Sequence, residues 1–175
     1  MFKTIVVPTD GSEHAKKAVE LAADLSEKYG TQLLVLHVLL RQTSASDLRE
    51  LCTGLNASDS LITKIDELED ALQDTAFVDY GGLAPIILSD EVLTEVGDLI
   101  LIDAKTTAET QGAADVSVVV ADGDAADCIL AIAEQDEADL IVMGSRGLGK
   151  FADLLMGSVS HKVSHLSKCS CVTVK

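Results

Sequence analysis

Aromatic side chains are scarce in this sequence, since Phe, Tyr and Trp together make up 3% of its 175 residues and tryptophan is absent. Hydrophobic residues nevertheless account for 47% of the chain. The core must therefore be built from Leu, Val, Ile and Ala, and the length suits one domain with a buried core. This composition is typical of helices packed on a parallel sheet, whose strands are buried on both faces.

Basic residues are also few, with 13 Lys and Arg against 29 Asp and Glu, which gives a formal net charge of −16 at pH 7. A surface of this charge repels phosphate backbones and anionic lipid headgroups. Nucleic acid and anionic membranes are therefore disfavoured as partners. An acidic surface also suits a salty cytoplasm, because salt screens the mutual repulsion of the carboxylates.

Long apolar runs are missing, and none approaches the roughly 20 residues that a membrane-spanning helix requires. The N-terminal stretch "MFKTIVVPTD" contains an apolar run of only about three residues before Pro8, which is too short for a signal-peptide core. We therefore expect a cytoplasmic protein without membrane insertion. The cysteines, four in number, are then expected to be reduced thiols.

Buried strands alternate with amphipathic helices at both ends of the chain. "KTIVVPTD" and "TQLLVLHVLL" are predicted strands, and the helix between them is predicted to begin after a cap at Ser12 and to end at Gly30. "VSVVVADGD", "DLIVMG" and "CVTV" predict three further strands, with helices that begin at Asp124 and Gly157 between them. We predict a three-layer α/β/α fold, Rossmann-like, with an open five-stranded parallel sheet and helices on both faces.

The middle of the chain has no comparable strand. Leu61, Ile65 and Leu68 recur at helical spacing, whereas the Gly and Pro residues of "FVDYGGLAPIIL" indicate an irregular connection. We interpret residues of about 41–88 as a partly helical insertion in a single domain that covers residues 1–175. The sequence assigns this insertion no task.

A glycine-rich stretch, "GSRGLGK", has the spacing Gly-x4-Gly-Lys and ends at Lys150. A Walker-type P-loop needs Ser or Thr directly after its lysine to bind magnesium, but Phe151 occupies that position. The dinucleotide fingerprint Gly-x-Gly-x-x-Gly fails as well, because Gly144, Gly147 and Gly149 have the wrong spacing. Neither of these two phosphate motifs is therefore favoured.

A longer pattern, Gly-x2-Gly-x9-Gly-Ser, begins at Gly144 and ends at Gly157 and Ser158. Glycines after a strand let the backbone approach a polyanion, and a helix that begins at Gly157 aims its free N–H groups at a phosphate. The Ser158 hydroxyl is a further donor. Taken only as turn residues, Gly144 and Gly157 would require no ligand.

This pattern and its flanks resemble the nucleotide-binding branch of the universal stress protein family. The resemblance lies in "IVVPTDGSEHA", "LLVLHV", "EADLIVMGSRG", "GSRGLGKFADLLMGS" and "CSCVTV", and it covers residues 1–40 and about 115–175 well. It implies an adenine nucleotide alpha hydrolase-like fold and an ATP-binding stress-response regulator. It also implies a homodimer joined through the last strand, with a further protein as partner. The alternatives are an interaction protein of the same fold that binds no nucleotide, and a slow ATPase or autokinase.

The resemblance implies a site as well. Asp10 would face the ribose or a phosphate-bound Mg²⁺ or Mn²⁺, although it could instead cap the following helix. The adenine pocket would be lined by Pro8, Val38 and Met143. The full set of implied nucleotide-binding residues is Pro8, Thr9, Asp10, Val38, Met143, Gly144, Arg146, Gly147, Gly157, Ser158, Val159 and Ser160. No catalytic residue stands out beside them.

A second pattern, His-x3-His-x3-Cys-x-Cys, begins at His161 and ends at Cys171. Its histidines lie one helical turn apart, but its cysteines enter a buried strand whose side chains alternate between faces. Packing is therefore favoured over a zinc site. His37 and Cys128 lie in apolar stretches and are predicted to be core residues.

Overall fold

Five parallel strands form a single sheet in the residues that the structure, a computed structural model, describes: 2–75, 89–148 and 156–175, without the side chains of 71–75. The strands are β1 (Thr4–Pro8), β2 (Gln32–Val38), β3 (Val116–Ala121), β4 (Leu140–Gly144) and β5 (Ser170–Val174). Their order is β3-β2-β1-β4-β5, so β1 lies between β2 and β4. The predicted open five-stranded parallel sheet is confirmed.

Helices cover both faces of this sheet. They are α1 (Glu13–Tyr29), α2 (Ala45–Gly54), α3 (Asp59–Thr75), α4 (Asp90–Thr110), α5 (Ala125–Gln135) and α6 (Ser158–Leu166). Buried residues of α1 and of the second half of α4 pack with strand residues on one face, and those of α5 and α6 do so on the other. The three-layer arrangement is therefore the predicted one.

Several helix ends follow from local sequence. The Oγ of Ser12 accepts from the amide of Ala15, and Gly30 ends α1 with a left-handed φ of 65°. Asp124 caps α5, and Gly157 precedes α6. These four predicted boundaries are confirmed.

The described part of the middle segment is helical, as its apolar spacing predicts. Buried residues of α2, α3 and the first half of α4 form a cluster of their own, called here the satellite core, which includes Leu48, Leu51, Ile65, Leu93 and Ile100. The predicted irregular connection at 77–88 lies outside the described residues. That residues 41–88 are an insertion stays a prediction.

No helix within the described ranges is both long and apolar enough to cross a lipid bilayer.

Candidate functional site

Two loops meet at the carboxyl edge of the sheet, because the neighbouring strands β1 and β4 are parallel and end there. The turn after β1 carries Asp10, and the loop after β4 carries Gly147. From this point β1 connects to a helix on one face and β4 to a helix on the other. Such a switch point opens a crevice at the strand ends and is where open α/β sheets bind ligands.

The Asp10 carboxylate joins these two loops. Its Oδ1 accepts a hydrogen bond from the amide of Ser12 at 3.0 Å, and its Oδ2 accepts one from the amide of Leu148 at 3.1 Å. Ser12 caps α1, so Asp10 is not the helix cap that the sequence left open. A carboxylate has about four lone-pair sites, so two remain for a ligand.

Two glycines are required by close approach. A Cβ at Gly147 would overlap the Oδ2 of Asp10, so the position of Asp10 demands glycine there. A Cβ at Gly144 would lie 2.9 Å from backbone atoms of His14, Ala15 and Arg146. Gly144 thereby lets the first turn of α1 pack against the end of β4.

The N-terminus of α6 is open by comparison. Gly157 has an extended backbone with φ −71° and ψ 161°, which any residue adopts. A Cβ there would come no closer than 3.5 Å, to the carbonyl oxygen of Ser145. The amide of His161 donates to the carbonyl of Gly157 at 3.0 Å at this end of the helix. The amides of the turn before it can therefore face an anion.

Ser145 fixes this end of α6 to the sheet. Its carbonyl accepts hydrogen bonds from the Gly157 amide at 2.8 Å and the Ser160 hydroxyl at 2.9 Å. Its amide donates to the carbonyl of Val174 at 2.7 Å, and its Oγ lies 3.1 Å from Nδ1 of His14. The sequence reasoning missed this role, because Ser145 occupies a variable position of the glycine pattern and no spacing connects it with His14.

The three residues implied for the adenine pocket lie at the carboxyl ends of three neighbouring strands. Val38 and Met143 belong to the core on the side of α5 and α6. Pro8 lies two residues after Val6 in β1, so its side chain is on the same side of the sheet as that of Val6. Met143 is 3% exposed, whereas Pro8 and Val38 are half-buried. The structure therefore brings these apolar side chains to one face of the carboxyl edge.

The remaining implied residues differ in how much of them is accessible. Thr9 is buried, and its Oγ1 accepts a hydrogen bond from the amide of Gly11 at 3.2 Å, so its side chain holds the turn. Ser160 is buried as well, and its hydroxyl is engaged as described. Arg146 is half-buried, and Ser158 and Val159 are exposed at the start of α6.

Charged pairs flank this edge. Arg41 donates to both carboxylate oxygens of Asp122, at 2.6 and 2.7 Å, and this contact lowers the pKa of Asp122. The pKa of Asp124 is lowered by the Asp127 amide and then by Lys162. These exposed pairs add little stability. They keep both carboxylates ionised and partly neutralised beside the ends of β2 and β3.

The zinc hypothesis gains no support. In the ranges given above, no three His, Cys, Asp or Glu side chains come together as a metal site. The rings of His161 and His165 stack at 6.4 Å on exposed positions, whereas Cys169 and Cys171 pack against the core below α5 and α6. A metal at Asp10 would need oxygen ligands from a bound phosphate, which hard cations such as Mg²⁺ accept.

A shallow groove of about 260 Å³ lies at the opposite edge of the sheet. It is lined by the ends of α5 and α6 and by the loop before β5, including Leu130, Glu134, Leu166 and Cys169. None of its lining residues belongs to the two loops of the candidate site.

The order of the strands and the two loops at their carboxyl ends define a Rossmann-like α/β protein with a candidate ligand site at the switch point. The sequence profile described as the Universal stress protein family matches residues 1–175, so the chain belongs to this family.

Known relatives agree with this assignment. The Universal stress protein YxiE of Bacillus subtilis (strain 168) is 30% identical over 178 residues, which cover 100% of both proteins. The fold is similar to a universal stress protein solved in complex with cAMP, with a TM-score of 0.60, 22% identity and coverage of 99% and 96%. It is also similar to the Archaeoglobus fulgidus universal stress protein solved with dAMP, with a TM-score of 0.59, 17% identity and coverage of 100% and 98%. At these identities the two structures show the fold.

Proposed function

We propose that this universal stress protein binds ATP at the carboxyl edge of its sheet and acts as a nucleotide-dependent regulator of the stress response in the cytoplasm. The observation that carries the proposal is the open N-terminus of α6 beside the Asp10–Leu148 hydrogen bond. Two proteins of similar fold were solved with the adenine nucleotides cAMP and dAMP, which supports this class of ligand.

In this proposal the phosphates lie on the amides that begin α6 and on those of the glycine loop. Free amides and the positive end of the helix dipole stabilise an anion there. The Ser158 hydroxyl adds a donor, and Arg146 supplies a positive charge to a protein whose net charge is −16. Asp10 contacts the ribose, or holds Mg²⁺ or Mn²⁺ together with phosphate oxygens.

The base lies against the apolar ends of the strands. Pro8, Val38 and Met143 offer the flat, uncharged contacts that a purine ring buries. No described arrangement assigns a catalytic residue, so we propose binding without efficient turnover. A slow ATPase or autokinase and a dimeric protein that binds no nucleotide are the competing functions.

The first experiment identifies the ligand. Protein purified without added nucleotide is denatured, and released small molecules are identified by mass spectrometry. Calorimetric titration then compares ATP, ADP, AMP and cAMP, each with and without Mg²⁺. We expect ATP to bind. No binding of any of these nucleotides would favour the interaction protein, and phosphate release over hours would favour the slow ATPase.

The second experiment locates the phosphates. A hydrogen bond to a charged group contributes roughly 1.5 to 3 kcal/mol, so Ser158→Ala should weaken ATP binding about tenfold or somewhat more. Ser164→Ala, an exposed serine later in the same helix, should leave affinity unchanged. Gly157→Val should cost more than Ser158→Ala, because the extended backbone accepts a Cβ there and the branched side chain would occupy the space that the phosphate needs.

Lys150, which a P-loop would require, lies outside the described residues. Loss of ATP binding with Lys150→Ala but not with Ser158→Ala would mean that the phosphates lie beside Lys150 and not at the start of α6. Circular dichroism checks that each variant is folded.

A further inference from the structure

The turn that carries Asp10 lies directly against α2. A Cβ at Gly11 would be 2.8 Å from Cδ1 of Leu51 and 3.3 Å from Cγ1 of Ile100. Gly11 is buried and has a φ of +80°, a conformation that favours glycine. The side chain of Leu51 therefore covers the backbone of this turn, one residue from Asp10.

The glycine loop touches the same helices. The amide of Leu148 donates to Asp10, and the Leu148 side chain packs against the satellite core of α2, α3 and α4. The two partners of the Asp10–Leu148 hydrogen bond are thus both close to the satellite core. Leu148 contacts it directly, and Gly11, the residue after Asp10, contacts Leu51. A third contact is nearby, since the ring of His37, which donates to the carbonyl of Thr9, lies against Gly97 of α4.

The satellite core is separate from the cores on the sheet. Its buried members all belong to α2, α3 and α4, and none belongs to a strand or to α1. Lys64 of α3 pairs with Glu91 and Glu95 of α4, and Arg49 of α2 pairs with Asp66 of α3. A small core of this kind can loosen without unfolding the sheet, because local stability follows local burial.

We propose that the satellite core of α2, α3 and α4 responds to ligand binding at the Asp10–glycine-loop edge through the contacts of Leu51 and Leu148, an inference that rests on the proposed nucleotide binding. A ligand that fixes Asp10 and the Leu148 loop also fixes the surfaces on which Leu51 packs. Binding therefore tightens the satellite core. The coupling is reciprocal, so a change that loosens the satellite core lowers the affinity for the ligand by the factor by which the ligand stabilises that core.

A pair of leucine variants tests this coupling. Leu51→Ala removes a side chain from the satellite core, and Leu101→Ala removes one from the core between α4 and the sheet; the two leucines are 9% and 5% exposed. Leu51→Ala should weaken ATP binding about fivefold or more, since a looser turn reduces the binding-competent population. Leu101→Ala should leave the dissociation constant unchanged, although it lowers the melting temperature.

Leu51→Met, which keeps the volume, should bind ATP like the unaltered protein. Equal affinities for the two alanine variants would overturn the proposal.

Hydrogen exchange on the unaltered protein gives a readout that does not depend on any variant folding. ATP should slow amide exchange in α2 and α3, and the last two turns of α5, which lie away from both loops, should exchange as before. Unchanged exchange in α2 and α3 while calorimetry records ATP binding would remove this inference alone. Absence of ATP binding would remove it together with the proposed function.

Discussion

At the scale of single residues, His37 is a titratable group buried in β2. Its ring is fully buried, its Nδ1 donates to the carbonyl of Thr9 at 2.9 Å, and its Nε2 is without a hydrogen-bond partner among the described atoms. Burial lowers the pKa of His37, with the Thr9 hydrogen bond and the nearby Asp10 charge acting in the opposite direction. The prediction of a core histidine is right, but only one of its two nitrogens is bonded.

This environment predicts loss of stability in mild acid. Because the pKa of His37 is lower in the folded protein than in the unfolded chain, its stabilising contribution is complete above the unfolded value of about 6.5. It declines as the pH falls below that value, with a slope of up to about 1.4 kcal/mol per pH unit. Urea unfolding followed by circular dichroism between pH 7.5 and 5.5 should show this decline.

His37→Asn should flatten the decline, since an amide can donate to the carbonyl of Thr9 but does not titrate. His161→Asn, at an exposed position, is the matched control and should leave the slope as it is. A slope that is the same in all three proteins would mean that His37 is not the titrating group.

Other residues show where periodicity misleads. Tyr29 fits the buried stripe of α1 by spacing but is 44% exposed, because it lies in the last turn and packs edge-on against Phe2. Cys128 fits an apolar stripe but is only half-buried, beside the acidic loop before α5. Spacing assigns a face of a helix, whereas burial at its ends depends on what covers that face.

At the scale of elements, the five strands and their parallel arrangement were predictable, because buried β-branched runs joined by helices constrain the sheet strongly, whereas their order β3-β2-β1-β4-β5 came from the structure. The glycine pattern could be recognised from the sequence for a different reason, which is that its spacing is unusual. The contacts of α2 with the Asp10 turn were not, because nothing in the local sequence of Leu51 indicates which loop it covers. That contact depends on how α2 packs against the turn after β1.

The exposed edge strand β5 leads to a prediction about assembly. We propose a homodimer formed through β5, as the family resemblance implies. The amide of Ser145 donates to the carbonyl of Val174, so the backbone groups of Val172 and Val174 face β4. Those of Cys171 and Thr173 then face outward and are free to pair with a second copy.

Thr173→Pro removes one outward amide and keeps the ladder between β4 and β5 intact. Light scattering at micromolar concentration should give a dimer for the unaltered protein and a monomer for this variant. Thr173→Val, which keeps the amide and the branched shape, should remain a dimer. A monomeric unaltered protein, or a dimeric Thr173→Pro, would count against pairing through this edge.

At the scale of the whole molecule, the net charge of −16 predicts a dependence on salt. Self-repulsion destabilises the compact state in dilute buffer, and screening over a Debye length of about 8 Å at physiological ionic strength relieves it. Salt also weakens the exposed ion pairs, but each of those contributes little. The melting temperature should therefore rise as NaCl is added from low concentration.

Glu20 and Asp24 lie at exposed positions on α1 and allow a control. Replacing both by lysine reduces the net charge without touching the core, so the rise of melting temperature with salt should become smaller. An equal rise in the double variant, or a flat curve in the unaltered protein, would show that repulsion is not the cause.

The central position of β1 has a consequence for how the chain is made. Asp139, next to β4, accepts hydrogen bonds from the amides of Lys3 and Thr4, and 136 residues separate Lys3 from Asp139. At a synthesis rate of about 5 to 20 residues per second, roughly 7 to 27 s pass between the emergence of these partners from the ribosome. During that interval β1 can pair with β2 but leaves its other edge open and apolar. The nascent chain therefore offers chaperones a binding strand that the finished protein hides at the centre of its sheet.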